Sequence, residues 1–270
     1  MTANDGKLQG VALITGAASG IGRATALIFV KEGCTRLVLG DLDVNGLSTV
    51  SDELKRLNPA VKVVSVKVDV SSEEQVINLV QTAVKEFGEI HYAVNNAGIT
   101  NDKRVRTDEL PTSSWDRVVS INLRGVWLCQ RAQLQQMLKQ PANLATRTGA
   151  PPQRGSIINI SSIFGLLSHP TVGGYAASKA GVLGITRTDA IGYGGDGIRV
   201  NAVCPGFIKT PLIEQSIRRG ANYDEISRSV PVGRLGTPEE IGEAIVFLAS
   251  EKASLVNGVE LVVDGGYSKL

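Results

Sequence analysis

Tyr175 and Lys179 sit four positions apart in the stretch "YAASK". On a helix, residues i and i+4 share a face, with Cβ atoms about 5–6 Å apart. A phenol and an ammonium so placed can form a proton-transfer pair. Tyrosine has an ordinary pKa near 10, too high for a base at neutral pH, and a neighbouring cation favours the phenolate. The same spacing also occurs by chance on helix surfaces, so the pair carries weight only through what surrounds it.

The second stretch with chemical content is "TGAASGIG", Thr15 to Gly22, which follows directly on the apolar run Val11 to Thr15. Gly16, Gly20 and Gly22 are spaced G-x-x-x-G-x-G, with Ser19 and Ile21 in the same turn. Glycines at a strand-to-helix turn let the backbone approach a pyrophosphate. The helix N-terminus adds free N–H groups and a positive dipole end. Asp41 follows Gly22 by 19 residues, at the end of "LVLGDLD". A carboxylate there can accept both hydroxyls of an adenosine ribose. Asp43 competes for that role, and the alternative for Asp41 is a turn residue capping the next helix. A carboxylate also repels a 2′-phosphate by roughly 4 kcal/mol at 4 Å and an effective dielectric near 20, which favours NAD over NADP. Ser19 and Leu42 carry no charge to offset this. Arg23 and Arg36 are the cations that could restore NADP binding.

Composition narrows the function classes. Hydrophobic residues make up 43% and charged residues 20% of 270, as in a globular protein with a large core. The net charge of +2 gives no electrostatic case for nucleic acid or membrane, and 4% aromatics argue against base-stacking surfaces. Cys34, Cys129 and Cys204 are far apart, consistent with buried thiols in a reducing compartment. With His91 and His169 as the histidines, no metal centre is expected. The N-terminal "MTANDGKLQG" lacks a signal-peptide core, and no apolar run approaches membrane-spanning length. A cytoplasmic location follows, with the C-terminal Ser268-Lys269-Leu270 matching a peroxisomal address as the alternative.

The elements that must position these residues are legible as an alternation. Seven β-rich runs (Val11 to Thr15, Leu37 to Gly40, Val61 to Val68, Ile90 to Val94, Ser156 to Ile160, Ile198 to Val203 and Val259 to Val263) are separated by segments of helical length. Several are nearly all apolar, as strands covered on both faces of a parallel sheet should be. The rhythm predicts an α/β, doubly wound parallel sheet in a single domain. Ser71-x-x-Glu74 and Thr237-x-x-Glu240 read as capping boxes, with Pro238 at a first helical position. Lys139 to Gly155 breaks the rhythm with three prolines and no acid, and reads as a surface loop. A second irregular stretch runs from Pro205 to about Pro231.

With "TGAASGIG", "NNAG" (Asn95 to Gly98), "YAASK" and Pro205-Gly206 in this order, the chain resembles the short-chain dehydrogenase/reductase family from about Leu8 to Gly266. The resemblance implies a Rossmann-like fold of seven strands over residues 1–270, with a substrate lid at about 205–231 and an extra loop at 139–155. It implies that Asn95, Ala97 and Gly98 line the cofactor cleft, and that Asp69 and Val70 meet the adenine. Pro205 and Gly206 would border the nicotinamide, with Ile208 and Thr210 on its carboxamide. Tyr175 becomes the general acid/base. Ser162, with Ser161 as runner-up, becomes the serine that stabilises charge on the substrate oxygen. Lys179 would bind ribose hydroxyls and depress the tyrosine pKa. Asn122 would link Lys179 to solvent through a water.

The expected substrate is a secondary alcohol or ketone, met by a pocket whose apolar side includes Leu166, Leu167, Val172 and Leu212. Small residues from Ala176 onward would let the helix lie close to the cofactor and to a twin, in a homotetramer or homodimer. Arg218 and Arg219 read as exposed charge on the lid or as contacts to an acidic substrate. Lys103, Arg104 and Arg106, with Arg147 and Arg154, give the loops local positive charge, read as solubility, assembly or a cleft edge. The competing functions are an NADP-dependent ketoreductase and a catalytically silent nucleotide-sensing protein.

Overall fold

A computed structural model of the chain describes residues 8–269. The first seven residues and Leu270 lie outside them, and with them most of the polar N-terminal stretch and the last residue of the Ser268-Lys269-Leu270 tail.

Among the described residues, seven strands form one parallel sheet. They are β1 (Val11–Thr15), β2 (Arg36–Asp41), β3 (Lys62–Lys67), β4 (Tyr92–Asn95), β5 (Gly155–Ile160), β6 (Ile198–Pro205) and β7 (Glu260–Val263). Their order across the sheet is β3-β2-β1-β4-β5-β6-β7. The helices are α1 (Gly20–Lys31), α2 (Val44–Leu57), α3 (Glu73–Phe87), α4 (Thr112–Val119), α5 (Val126–Met137), α6 (Gly173–Tyr193), α7 (Pro211–Arg218), α8 (Tyr223–Ser229) and α9 (Pro238–Ala249).

Every residue of β1, β5 and β6 is buried. That is why these runs lack an alternating pattern: helices cover both faces. On one face Phe29, Leu47, Leu54, Ile241 and Ile245, from α1, α2 and α9, pack on Ile14, Leu37 and Leu39. On the other, Val76, Leu79, Leu134 and Met137, from α3 and α5, pack on Leu13, Val38 and Ile157. No described helix is long and apolar enough to cross a membrane.

The local signals resolve in detail. Thr237 and Glu240 form the expected capping box on α9, the Glu240 carboxylate accepting from the Thr237 N–H at 2.8 Å. The cap of α3 is Ser72 rather than Ser71, its hydroxyl accepting from the Gln75 N–H. Asp69 explains the shift. Its carboxylate takes both the N–H and the hydroxyl of Ser71, at 2.9 and 2.7 Å, and holds that residue in the turn. The stretch expected to be irregular after Pro205 contains α7 and α8.

The 139–155 segment is a loop, but a pinned one. Leu144 and Gln153 exchange backbone hydrogen bonds at 3.0 and 2.9 Å. The buried Gln140 amide bonds both the N–H and the C=O of Ile90. Asn143 Oδ1 lies 3.0 Å from His91 Nε2. Since His91 Nδ1 accepts from the Val11 N–H, Nε2 carries the proton. These partners sit where β1 and β4 begin, at the end of the sheet opposite Thr15 and Asn95. Of the readings offered for this loop, the one that sets it at the cleft edge is removed, and solubility and assembly stay open.

Candidate active site

The sheet reverses its winding between β1 and β4, and ligands of such sheets bind outside the carboxyl ends of the strands at that point. There the strand ends open into a cleft of ≈ 410 Å³, within the range of small-molecule sites.

Its floor is the glycine turn. Gly16 has φ 66 and Gly20 φ 52, conformations that a side chain disfavours. A Cβ on Gly16 would fall 2.7 Å from Asn96 Nδ2 and 2.8 Å from the Ala97 backbone. Gly16, Ser19, Gly20 and Ile21 line the cleft. Gly22 does not: a side chain there would run into the Gly16 carbonyl, so Gly22 lets the turn close on itself. The Ser19 side chain makes no capping bond to α1.

Asp41, at the end of β2, lines the cleft with Leu42, and its two oxygens accept from the N–H groups of Ala18 and Asp43, each at 3.0 Å. These bonds aim the carboxylate and leave it further acceptor capacity. Asp43 caps α2 through the Gly46 N–H instead. Arg23 is occupied by Glu53 at 2.8 Å, and Arg36 stands at the opposite end of β2. Asp69 and Val70 line the same side.

After β4 the expected asparagine is displaced by one. Asn95 is buried within the sheet face under α5, bonded to Gln133 and Asn159. Asn96 is the one on the cleft wall, beside Ala97 and Gly98. Its amide donates to the carbonyls of Thr15 and Gly16, at 3.1 and 3.0 Å, and ties the glycine turn to the loop after β4. Strand alternation carried the missing signal: Asn95 shares the side of Ala93, the face packed by α5.

Asn122 lies in a π-helical turn, Ser120–Gly125, between α4 and α5. Such widened turns are frequent at functional sites. Asn122 is fully buried and off the cleft wall. Its amide accepts from the Ile99 N–H and donates to the Ile99 carbonyl, both at 2.8 Å, and reaches Ser178 Oγ at 3.3 Å. It is a clamp between the loop after β4 and α6, and among the described residues it is not hydrogen-bonded to Lys179. Asn122 and Lys179 flank Gly98, where a Cβ would lie 3.2 Å from Asn122 Oδ1 and 3.5 Å from Lys179 Nζ.

Helix α6 brings Tyr175 and Lys179 to one wall, with the ammonium 5.8 Å from the phenol ring centre. Ala177 is exposed and Ser178 packs inward, so Tyr175 and Lys179 are what this turn of the helix presents to the cleft. Ser162, which starts a 3₁₀ turn after β5, lines the same wall, close enough to the Tyr175 phenol to favour its charged form, and its hydroxyl accepts from the Phe164 N–H at 3.1 Å. The runner-up Ser161 donates to the Lys179 carbonyl at 2.8 Å and is committed there.

Burial raises the Tyr175 pKa above its ordinary value, and the nearby Ser162 hydroxyl pulls it back in part. The net direction is upward, opposite to the depression expected from Lys179, because taking the phenolate out of water is the largest effect. Lys179 is itself lowered to about 8 by burial. Its ammonium has the Ile160 carbonyl as partner, at 2.7 Å.

Pro205, Gly206, Ile208 and Thr210 line the far side, and Thr210 caps α7. Phe207, between them, also lines the cleft and meets Phe164 and Tyr267 edge-on, with centres 6.0 and 5.0 Å apart. Val172 and Leu212 are on this wall, whereas Leu166 and Leu167 are not. Arg219 is exposed, but it donates to the Asn101 carbonyl at 2.6 Å and so ties the segment after α7 to the loop after β4.

A family model described as enoyl-(acyl carrier protein) reductase matches residues 16–268. The chain belongs to the short-chain dehydrogenase/reductase family. It is 42% identical over 262 residues to the 3-oxoacyl-acyl-carrier-protein reductase FabG of Thermotoga maritima, covering 96% of this chain and 98% of that one. It is 39% identical over 258 residues to cyclohexanol dehydrogenase of an Acinetobacter species, covering 96% and 94%. Among solved structures it superimposes on the 3-ketoacyl-(acyl-carrier-protein) reductase of Brucella melitensis complexed with NADH. There the TM-score is 0.84 and the identity 33%, over 96% of this chain and 98% of that one. This is an oxidoreductase family whose members bind a nicotinamide cofactor. The residues present fit such a group: the glycine turn at the start of α1 borders the cleft, and the Asp41 carboxylate stands on its wall with further acceptor capacity.

Lys179 generates a prediction with a definite sign. Its pKa is lower in the folded than in the unfolded chain, so its burial is unfavourable below about pH 8 and is relieved as pH rises from there towards the unfolded value of 10.5. Lys179→Met should therefore be more stable than the parent in urea unfolding at pH 7, by about 1–3 kcal/mol. That advantage should shrink by pH 10 while turnover is lost.

Proposed function

We propose that the protein is an NAD-dependent oxidoreductase that moves a hydride between the cofactor and a secondary alcohol or ketone. The observation that carries this reading is the meeting of Tyr175, Lys179 and Ser162, from α6 and the end of β5, on one wall of the cleft. The intact set argues against a silent nucleotide sensor.

Gly16, Ser19, Gly20 and Ile21 would hold the pyrophosphate, Asp41 the adenosine ribose, and Asp69 and Val70 the adenine. Pro205, Gly206, Ile208 and Thr210 would hold the nicotinamide end. A bound nicotinamide supplies or accepts the hydride. In the reductive direction Tyr175 gives its proton to the carbonyl oxygen as charge develops there. Ser162 donates to the same oxygen and stabilises that charge. A tyrosine kept protonated by burial is poised for this step. In the oxidative direction Tyr175 takes the hydroxyl proton. Lys179 then stabilises the phenolate: unit charges about 6 Å apart attract by about 3 kcal/mol at an effective dielectric near 20. Asn122 acts through position, by fixing the loop that carries Gly98 against α6.

The second reading is an NADP-dependent ketoreductase. The likeness to the Thermotoga reductase favours ketone reduction, while the Asp41 carboxylate, with Arg23 paired to Glu53, weighs against a 2′-phosphate. A cytoplasmic location is part of the same proposal. The three cysteines are unpaired and buried, and Tyr267 in the C-terminal turn is packed on Phe207. Mass in solution should report a homotetramer or homodimer, and a monomer would remove that element.

Tyr175→Phe should bind the dinucleotide nearly as the parent does while turnover falls by at least ~10²-fold. Near-parental turnover would end the mechanism. Titration of reduced-cofactor fluorescence should show tighter binding of NADH than of NADPH. Asp41→Ser should narrow the gap, and an initial preference for NADPH would establish the second reading.

A further inference from the structure

The substrate end of the cleft is apolar in its walls and unbalanced in charge. Ile99, Phe164, Val172, Phe207, Leu212 and Ile226 line it. Among the described lining residues the acids are Asp41 and Asp69, at the carboxyl ends of β2 and β3. Adjacent strands are about 4.8 Å apart, so both lie well to the other side of the switch point. The cations on the wall are Lys179 and Arg104. The Lys179 ammonium is directed at the Ile160 carbonyl.

Arg104 differs from its charged neighbours. Arg106 pairs with Asp108 at 3.6 Å, and Arg219 donates to the Asn101 carbonyl. For Arg104 no hydrogen bond or ion pair is found among the described residues, although it lines the cleft. It belongs to the loop after β4, three residues past Asn101, which Arg219 ties to the segment after α7, so it stands on the side of that segment rather than of β2. Burial first, and the Arg104 charge second, hold His169 below its usual pKa. His169 is therefore neutral at neutral pH, and its ring lies edge-on to Phe164 on the cleft wall, centres 6.1 Å apart. The wall of an apolar pocket thus carries an arginine with no hydrogen bond or ion pair among the described residues, and the acids on that wall, Asp41 and Asp69, stand at its other end. A guanidinium binds a carboxylate bidentately, with geometry as well as charge.

We propose that Arg104 is a specificity residue that selects an alcohol or ketone bearing a carboxylate at the end remote from the reacting oxygen. The apolar body of the substrate lies against Ile99, Val172, Phe207 and Leu212, and its carboxylate meets Arg104. The proposal rests on the alcohol/ketone reading above, so its test uses binding without turnover. Because Arg104 is exposed, the gain is modest: about 1 kcal/mol, or about fivefold in affinity.

The experiment is calorimetry on protein saturated with oxidised dinucleotide, which cannot reduce a ketone. The probes are a cyclohexanone carrying a carboxylate on the ring and the same ketone carrying a carboxamide. The parent should bind the carboxylate about five- to tenfold more tightly. Arg104→Gln, with unchanged melting temperature, should bring the two within about twofold, and Arg104→Lys should keep part of the preference. Equal binding of the two probes by the parent, binding of neither, or an undiminished preference in Arg104→Gln overturns the proposal. If the preference stands and follows Arg104, but neither ketone is reduced when the reduced dinucleotide is supplied, the proposal holds and the alcohol/ketone reading fails.

Discussion

The site depends on one ammonium held out of water. Lys179 is buried beside the phenol of Tyr175, with a backbone carbonyl from the end of β5 as its partner. An isolated buried charge is costly, and it persists only where the surrounding structure leaves it no alternative. Here the constraint is geometric. Helix α6 is fixed along the sheet by buried residues such as Val182, Leu183 and Thr186, and Ser161 bonds the Lys179 carbonyl itself. The side chain can reach only into the crevice. That cost in stability places a positive charge beside the phenol, where the proposed mechanism has a proton leave an oxygen.

The rest of the cleft keeps that charge and the glycine turn in register. Asn96 bonds the carbonyls of Thr15 and Gly16, and Asn122 bonds both polar groups of Ile99. The first reaches out from the loop after β4 and the second reaches into it, one residue past Gly98. They satisfy backbone groups that the end of a strand would otherwise leave unpaired. The widened turn at Ser120–Gly125 interrupts the regular helix at the point where Asn122 must turn inward. Asn95, Gln133, Asn159, Gln130 and Thr186 form a second polar network, inside the core. A network of this kind stabilises one arrangement of β4, β5, α5 and α6 over its neighbours only because its members are mutually satisfied.

Much of this was readable before any coordinates. The seven strands appear as seven apolar or β-rich runs because a parallel sheet covered on both faces leaves no polar side to obscure the pattern. The turn after β1 was readable because its glycines answer a backbone need that is local. The readings that went astray concern direction. Asn95 and Asn96 are neighbours of one type, and only the pleat of β4 sends the first into the core. Ser71 and Ser72 are likewise adjacent, and a carboxylate two positions upstream decides which one caps α3. The 139–155 loop has no periodicity to say which end of the sheet it joins. That choice came from Gln140 and Asn143, through contacts with Ile90 and His91.

The sequence by itself determined the alternation of elements, the glycine turn and the shared stripe of Tyr175 and Lys179, because each rests on spacing within a few residues. Tertiary structure decided what burial does to those groups. It raised the phenol, lowered the ammonium, committed Ser161 to the Lys179 carbonyl, and left Ser162 and Arg104 on the cleft wall. The physical reason is that desolvation and charge pairing depend on what stands across the cleft. In this chain those neighbours come from β4, β5, β6 and α6, segments far apart in sequence.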